Sequence, residues 1–129
     1  MPHHKKMKYL ILGIAGAAGT IGRYLLGGWV HRFFDSSFPY GTLLVNFSGC
    51  LVIGFLGTLA DERSLLTPTL RLALILGFLG AFTTFSSFAY ETWAMFKEGE
   101  TLFASLNVFC SFVFCFVGLL IGVFGARLL

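Results

Sequence analysis

Residues 76–91 read LGFLGAFTTFSSFAYE, and the fold turns on this stretch. An apolar run reaches Gly80 and then meets Thr83, Thr84, Ser86 and Ser87, set among Phe82, Phe85 and Phe88. Gly77 and Gly80 weaken a helix, and short hydroxyl side chains offer the backbone alternative hydrogen-bond partners. The stretch therefore predicts a helix broken between about Gly80 and Thr84. Such a break frees peptide carbonyls, which hydrocarbon tolerates only where protein or a bound ion satisfies them. Discontinuous spans of this kind mark ion sites in membrane proteins.

The rest of the chain places that stretch in a bilayer. Its 129 residues are 57% hydrophobic and 12% charged, with a mean hydropathy of +0.85, which is more apolar surface than so small a soluble domain buries. About 20 mostly apolar residues cross a hydrocarbon core of roughly 30 Å. Four stretches qualify, at about residues 9–30, 40–60, 72–90 and 102–126. The connectors HRFFDSSFP, DERSLLTPTLR and FKEGE carry the Pro, Asp, Ser and Gly that end helices. An alternating strand pattern is absent, so the expected fold is an all-α integral membrane unit of four helices, one domain over residues 1–129. The basic leader MPHHKKMK precedes a long glycine-rich segment without a small-x-small cleavage site, and reads as the start of a retained first span.

With four spans both termini share a side. Lys5, Lys6, Lys8, Arg63, Arg71 and Arg127 fall there, against Arg32 and Lys97 opposite. The bias leans toward cytoplasmic termini, while insertion in both orientations stays open. Cys50, Cys110 and Cys115 lie within spans and read as small packing residues. Trp29 and Trp93, near span ends, read as interfacial anchors. No nucleophile has a base within reach, so an enzyme is not expected, and no exposed basic face suits nucleic acid.

Helices in lipid associate through small residues and interhelical hydrogen bonds. Gly13, Gly16, Gly19 and Gly22 recur every three residues in the first span, which predicts close packing there. In the fourth span Asn107, Ser111, Cys115, Gly118, Gly122 and Gly125 form one stripe, and Thr42, Asn46 and Gly49 form another in the second. Any one of these polar groups is more simply a tie between helices, worth on average about 0.6 kcal/mol. Together they read as a track for something polar.

Three fragments, GAAGTIGRY in the first span, GTLLVNFSG in the second and GFLGAFTTFSSFAYE in the third, resemble the small bacterial fluoride channels of the Fluc or CrcB family. The resemblance covers all four spans. It implies an antiparallel, dual-topology homodimer in the cell inner membrane, with two fluoride pores and a structural, untransported sodium ion on the dimer axis at the helix breaks. The family's role is passive fluoride export that lowers cytoplasmic fluoride toxicity. By motif, Phe85 and Phe88 look like the rings lining the pore, Asn46 like the pore asparagine, and Ser111 like a pore serine. Gly80 and Thr83 look like the residues whose carbonyls hold sodium, and Arg23 like the first-helix arginine. Thr42 and Asn107 complete the expected polar track, although Asn107 and Cys115 fall where some relatives carry a tyrosine and another serine.

Elementary energetics agree with an anion in such a track. Hydrogen bonds to a charged partner contribute about 1.5 to 3 kcal/mol each, and several are needed to offset lost hydration. Asn46, Ser111 and Thr42 supply donors, and phenyl rings carry a positive edge. The rival reading is a small multidrug exporter, which needs an acid deep in a span to exchange protons. Glu91, at the far end of the third span, is the one candidate and reads better as a capping or interfacial group.

Overall fold

The computed structural model of the chain describes residues 2–129. Helix α1 is Pro2–His31 and α2 is Tyr40–Asp61. The third span comes in two pieces, α3 over residues 68–82 and α4 over Phe85–Lys97, and α5 is Thr101–Arg127. The described residues hold helices and connectors without strand, and four stretches are long and apolar enough to cross a membrane: His3–His31, Tyr40–Asp61, Pro68–Lys97 and Thr101–Arg127.

These helices outrun the apolar stretches that announce them, because local chemistry sets where each one ends. The exposed lysines of the leader continue α1 well ahead of its apolar part. Thr67 caps α3, its hydroxyl accepting from the Leu70 amide at 3.2 Å, and Pro68 occupies the first turn, where a missing N–H costs nothing. Helix α4 closes at Gly99, whose φ of 81° is the left-handed conformation that glycine adopts freely. The Gly99 amide bonds to Phe96 O at 3.2 Å and the Glu100 amide to Met95 O at 2.9 Å, satisfying carbonyls that the helix end would orphan.

Two helix pairs set the frame. Helices α2 and α5 run parallel, and Phe38 meets Phe103, Gly54 meets Leu119 and Glu62 meets Arg127, each pair 65 residues apart. They touch backbone to backbone: a methyl added at Gly122 would overlap Leu51 O and lie 2.8 Å from Phe55 N. Helix α1 packs in the same manner on α3, where a methyl at Gly19 would overlap Phe78 O and lie 3.1 Å from Phe82 N. The glycine row of α1 thus has its partner, Gly16, Gly19 and Gly22 facing residues 77–82, while Gly13 faces open space.

Within α3, residues Leu72–Leu79 follow the wider π-helical winding, with the Gly80 amide reaching back to Ile75 O. π-Helical turns are rare and concentrate near functional sites. The buried core is small, Val45, Leu79 and Phe82, with Leu26, Ile53, Leu56 and Phe78 packed around it. Phe82 is accordingly a packing residue. Large apolar side chains such as Leu76, Phe109 and Phe116 are more than 60% exposed. The surface totals 8546 Å², against roughly 6,800 Å² for a soluble monomer of this mass. That excess suits lipid and not water.

At the end where the α2–α3 loop meets the C-terminus, Arg127 grips Glu62 at 2.6 Å and 3.0 Å, Arg63 donates to Arg127 O at 3.2 Å, and Arg71 pairs with Asp61 at 2.6 Å. The Arg127 guanidinium holds the Glu62 carboxyl below its usual range.

Candidate functional site

The site is built on the interruption of the third span. Helix α3 ends at Phe82, and Thr83 and Thr84 are extended, with φ/ψ of −81°/154° and −147°/114°. Thr84 then caps α4, its Oγ1 accepting from the Ser87 amide at 3.1 Å and donating to Ser87 Oγ at 3.0 Å. The Thr83 hydroxyl folds back on Leu79 O at 2.9 Å. The hydroxyls of Thr83 and Thr84 compete with the helix ladder for backbone partners, so the chain leaves the helix where the threonines stand together.

Asn46 of α2 completes the break. Its Oδ1 accepts from the Thr84 amide at 2.8 Å, and its Nδ2 donates to Thr84 O at 2.9 Å. Only this orientation of the carboxamide satisfies both groups. The pairing has a consequence for the neighbouring carbonyls. In an uninterrupted helix the Thr84 amide would serve Gly80 O and the Ser87 amide would serve Thr83 O. Both amides are engaged with side chains instead, and among the described residues no backbone donor from outside the helices reaches either carbonyl.

A cavity of 540 Å³ opens beside the break. Asn46, Gly80, Thr83, Phe85, Phe88 and Ser111 all line it, and none of its lining residues carries a charge. Phe85 and Phe88 lie with ring centroids 5.4 Å apart and tilted by 52°; Phe85 is 72% exposed, whereas Phe88 is buried edge-on against Phe112. Asn46 keeps its second N–H, and Asn46 and Ser111 occupy the same register on the parallel α2–α5 pair. The N-terminus of α4, the positive end of its dipole, stands at the cavity wall.

The remaining expected residues go elsewhere. Thr42 and Arg23 line a second pocket of 200 Å³ together with Glu91, and Thr84 and Ser87 border it from the other side. There the Thr42 hydroxyl donates to Glu91 Oε1 at 2.7 Å, and Glu91 Oε2 is buried without a partner among the described residues. Asn107 is 1% exposed and lies outside both pockets; its Nδ2 donates to Thr92 Oγ1 at 2.9 Å, and Ser111 Oγ donates to its Oδ1 at 3.4 Å. Sequence reading missed the part played by Thr84, which joins the two pockets and supplies both halves of the Asn46 pair. The doubled threonine was the available signal, but its partner is 38 residues away.

The family model described as CrcB-like protein, Camphor Resistance (CrcB), matches residues 10–123. The chain belongs to the CrcB family. Its relatives include proteins named Fluoride-specific ion channel FluC. The Geobacter sulfurreducens relative is 45% identical over 118 residues, covering 92% of this chain and 95% of its own length. That of Geotalea daltonii is 43% identical with the same coverage, and that of Desulforapulum autotrophicum is 39% identical over 122 residues, covering 95% and 98%. The family match takes in all of α2, α3 and α4, and so both pockets and the break between them.

Proposed function

We propose that this CrcB-family chain forms a passive, fluoride-selective channel of the cell membrane, through which fluoride leaves the cytoplasm down its gradient. The observation that carries this reading is the uncharged cavity at the break, bordered by Asn46 with its spare N–H, by the Phe85 and Phe88 rings, and by Ser111, whose hydroxyl makes only a long 3.4 Å bond to Asn107 that an anion can replace. A small anion needs several donors to replace water, each worth about 1.5 to 3 kcal/mol. A fixed cation would hold it, whereas neutral donors let it go again, as conduction requires. Glu91, the acid that proton exchange would need, lies outside this cavity and is tied to Thr42.

We further propose an antiparallel homodimer with two pores. Its support is the family, and the open side and large apolar surface of a single chain. A structural sodium ion fits the same arrangement. Gly80 O and Thr83 O are neutral oxygen donors left over by the break, which suits a hard cation. Two such oxygens are too few, and a second copy would double them. When bound, the ion would supply positive charge and hold two breaks together.

The test is fluoride efflux, read by electrode, from liposomes holding the purified full chain. Efflux should exceed that of empty liposomes and fall about tenfold or more in Asn46→Asp, which puts a negative charge among the donors, and in Phe85→Ile. Absence of efflux overturns the channel; rates unchanged in both variants overturn this lining. Replacing sodium by a large organic cation should weaken the dimer in cross-linking, and an unchanged dimer overturns the structural ion.

A further inference from the structure

The described residues contain no group of three or more His, Cys, Asp or Glu side chains able to hold a metal, which leaves no place for a tetrahedral zinc site. Two thiols, however, are brought together. Cys50 precedes Gly54 by one helical turn and Cys115 precedes Leu119 by one turn, so the parallel register that seats Gly54 on Leu119 sets the two cysteines opposite each other. Both are free and half-buried, and both line the cavity beside the break. Cys110 does not line it. Neither thiol takes part in the Asn46, Thr84 or Asn107 hydrogen bonds, so the network above leaves them unused.

We propose that Cys50 and Cys115 form a two-thiol site in the cavity wall for a soft divalent cation that accepts two ligands in line, of which the mercuric ion is the type. Soft thiolates select soft metals, and a linear ion needs no third ligand. Charge also favours this class. Each thiol gives one proton to water as its sulfur–metal bond forms, so two thiolates and a divalent ion sum to zero. A neutral unit suits a wall shared with Ile53, Phe112 and Phe116, whereas a monovalent ion would leave a net negative charge there. No oxidation state changes. The site stands independently of the fluoride reading, because it is read by metal stoichiometry.

The experiment uses the full chain purified in detergent as Cys110→Ser, so that two thiols remain. Mercuric ion is titrated while free thiols are counted with a chromogenic reagent and the thiolate-to-mercury charge-transfer absorption is followed. The expected result is one ion bound per chain with loss of two thiols. Two-point attachment should make release by a small competing monothiol require on the order of 100-fold more competitor than in chains further changed by Cys50→Ser or Cys115→Ser. Those variants should keep the elution volume of the parent; where one does not, the alanine substitution at the same position takes its place. Two ions per chain, or release from the two-thiol chain as easy as from the single-thiol chains, overturns the proposal.

Discussion

Helix α2 is held on two sides by opposite means. Toward α5 it is packed on bare backbone, where Gly54 and Gly122 leave no room for a methyl group and Gly118 fits tightly against Phe47. Toward the break in the third span it is joined by a hydrogen-bonded pair, Asn46 with Thr84, beside a 540 Å³ cavity. The first contact tolerates no added volume, and the second tolerates no lost polarity. A stiff glycine seam can therefore hold a looser polar one in place, because the same helix carries both.

The largest effect should come from filling the seam. Gly122→Val would drive a branched side chain into Leu51 O, with a cost on the order of 3 kcal/mol or more, so little monodisperse protein should be recovered in detergent. Gly13→Ala, which faces open space in α1, is the control and should leave stability unchanged or raise it by up to about 1 kcal/mol. Equal losses in the two variants would break the comparison. Next in size is Asn46→Leu, similar in volume but apolar. It strands the Thr84 amide, at about 1–3 kcal/mol, while Thr84 O, at the N-cap of α4, keeps its place in the helix ladder; hydrogen exchange of the Thr84 amide should speed up. Unchanged exchange there would mean that the break stands without its asparagine.

The smallest effect should come from the exposed end of the seam. Glu62 is exposed, and its pairing with Arg127 contributes where the carboxyl is ionised. A carboxyl held below its usual range contributes above a pH of about 4.5, and the contribution is lost as pH falls through the lower folded value. Glu62→Gln should barely shift the melting temperature at neutral pH, and adding salt should erase the difference. A large, salt-resistant loss would show that the ion pair, rather than the glycines, sets the α2–α5 register.

Much of this was legible in the chain. Apolar length alone announces four spans, because only a helix pairs its own backbone over about 20 residues in lipid. The doubled threonine of TTFSS located the interruption, since adjacent hydroxyls and glycines act within a few residues of themselves. The glycine row of α1 announced a close neighbour, though not that the neighbour would be the π-wound part of α3. Thr42, Asn46, Asn107 and Ser111 were read as a single track, and the structure distributes them: Asn46 and Ser111 to the cavity, Thr42 to a second pocket, Asn107 to a buried tie with Thr92.

What the sequence determined by itself is whatever depends on neighbours along the chain: the spans, their caps at Thr67 and Gly99, and the break after Phe82. What only the tertiary structure decided is how each polar atom is used. A carboxamide on α2 can face a pore, a backbone or both, and the choice depends on which group 38 residues further on comes within 3 Å. Periodicity fixes the side of a helix on which a donor stands. The partner that takes its hydrogen bond is set by how the helices are placed against one another, and here the glycine contacts do the placing.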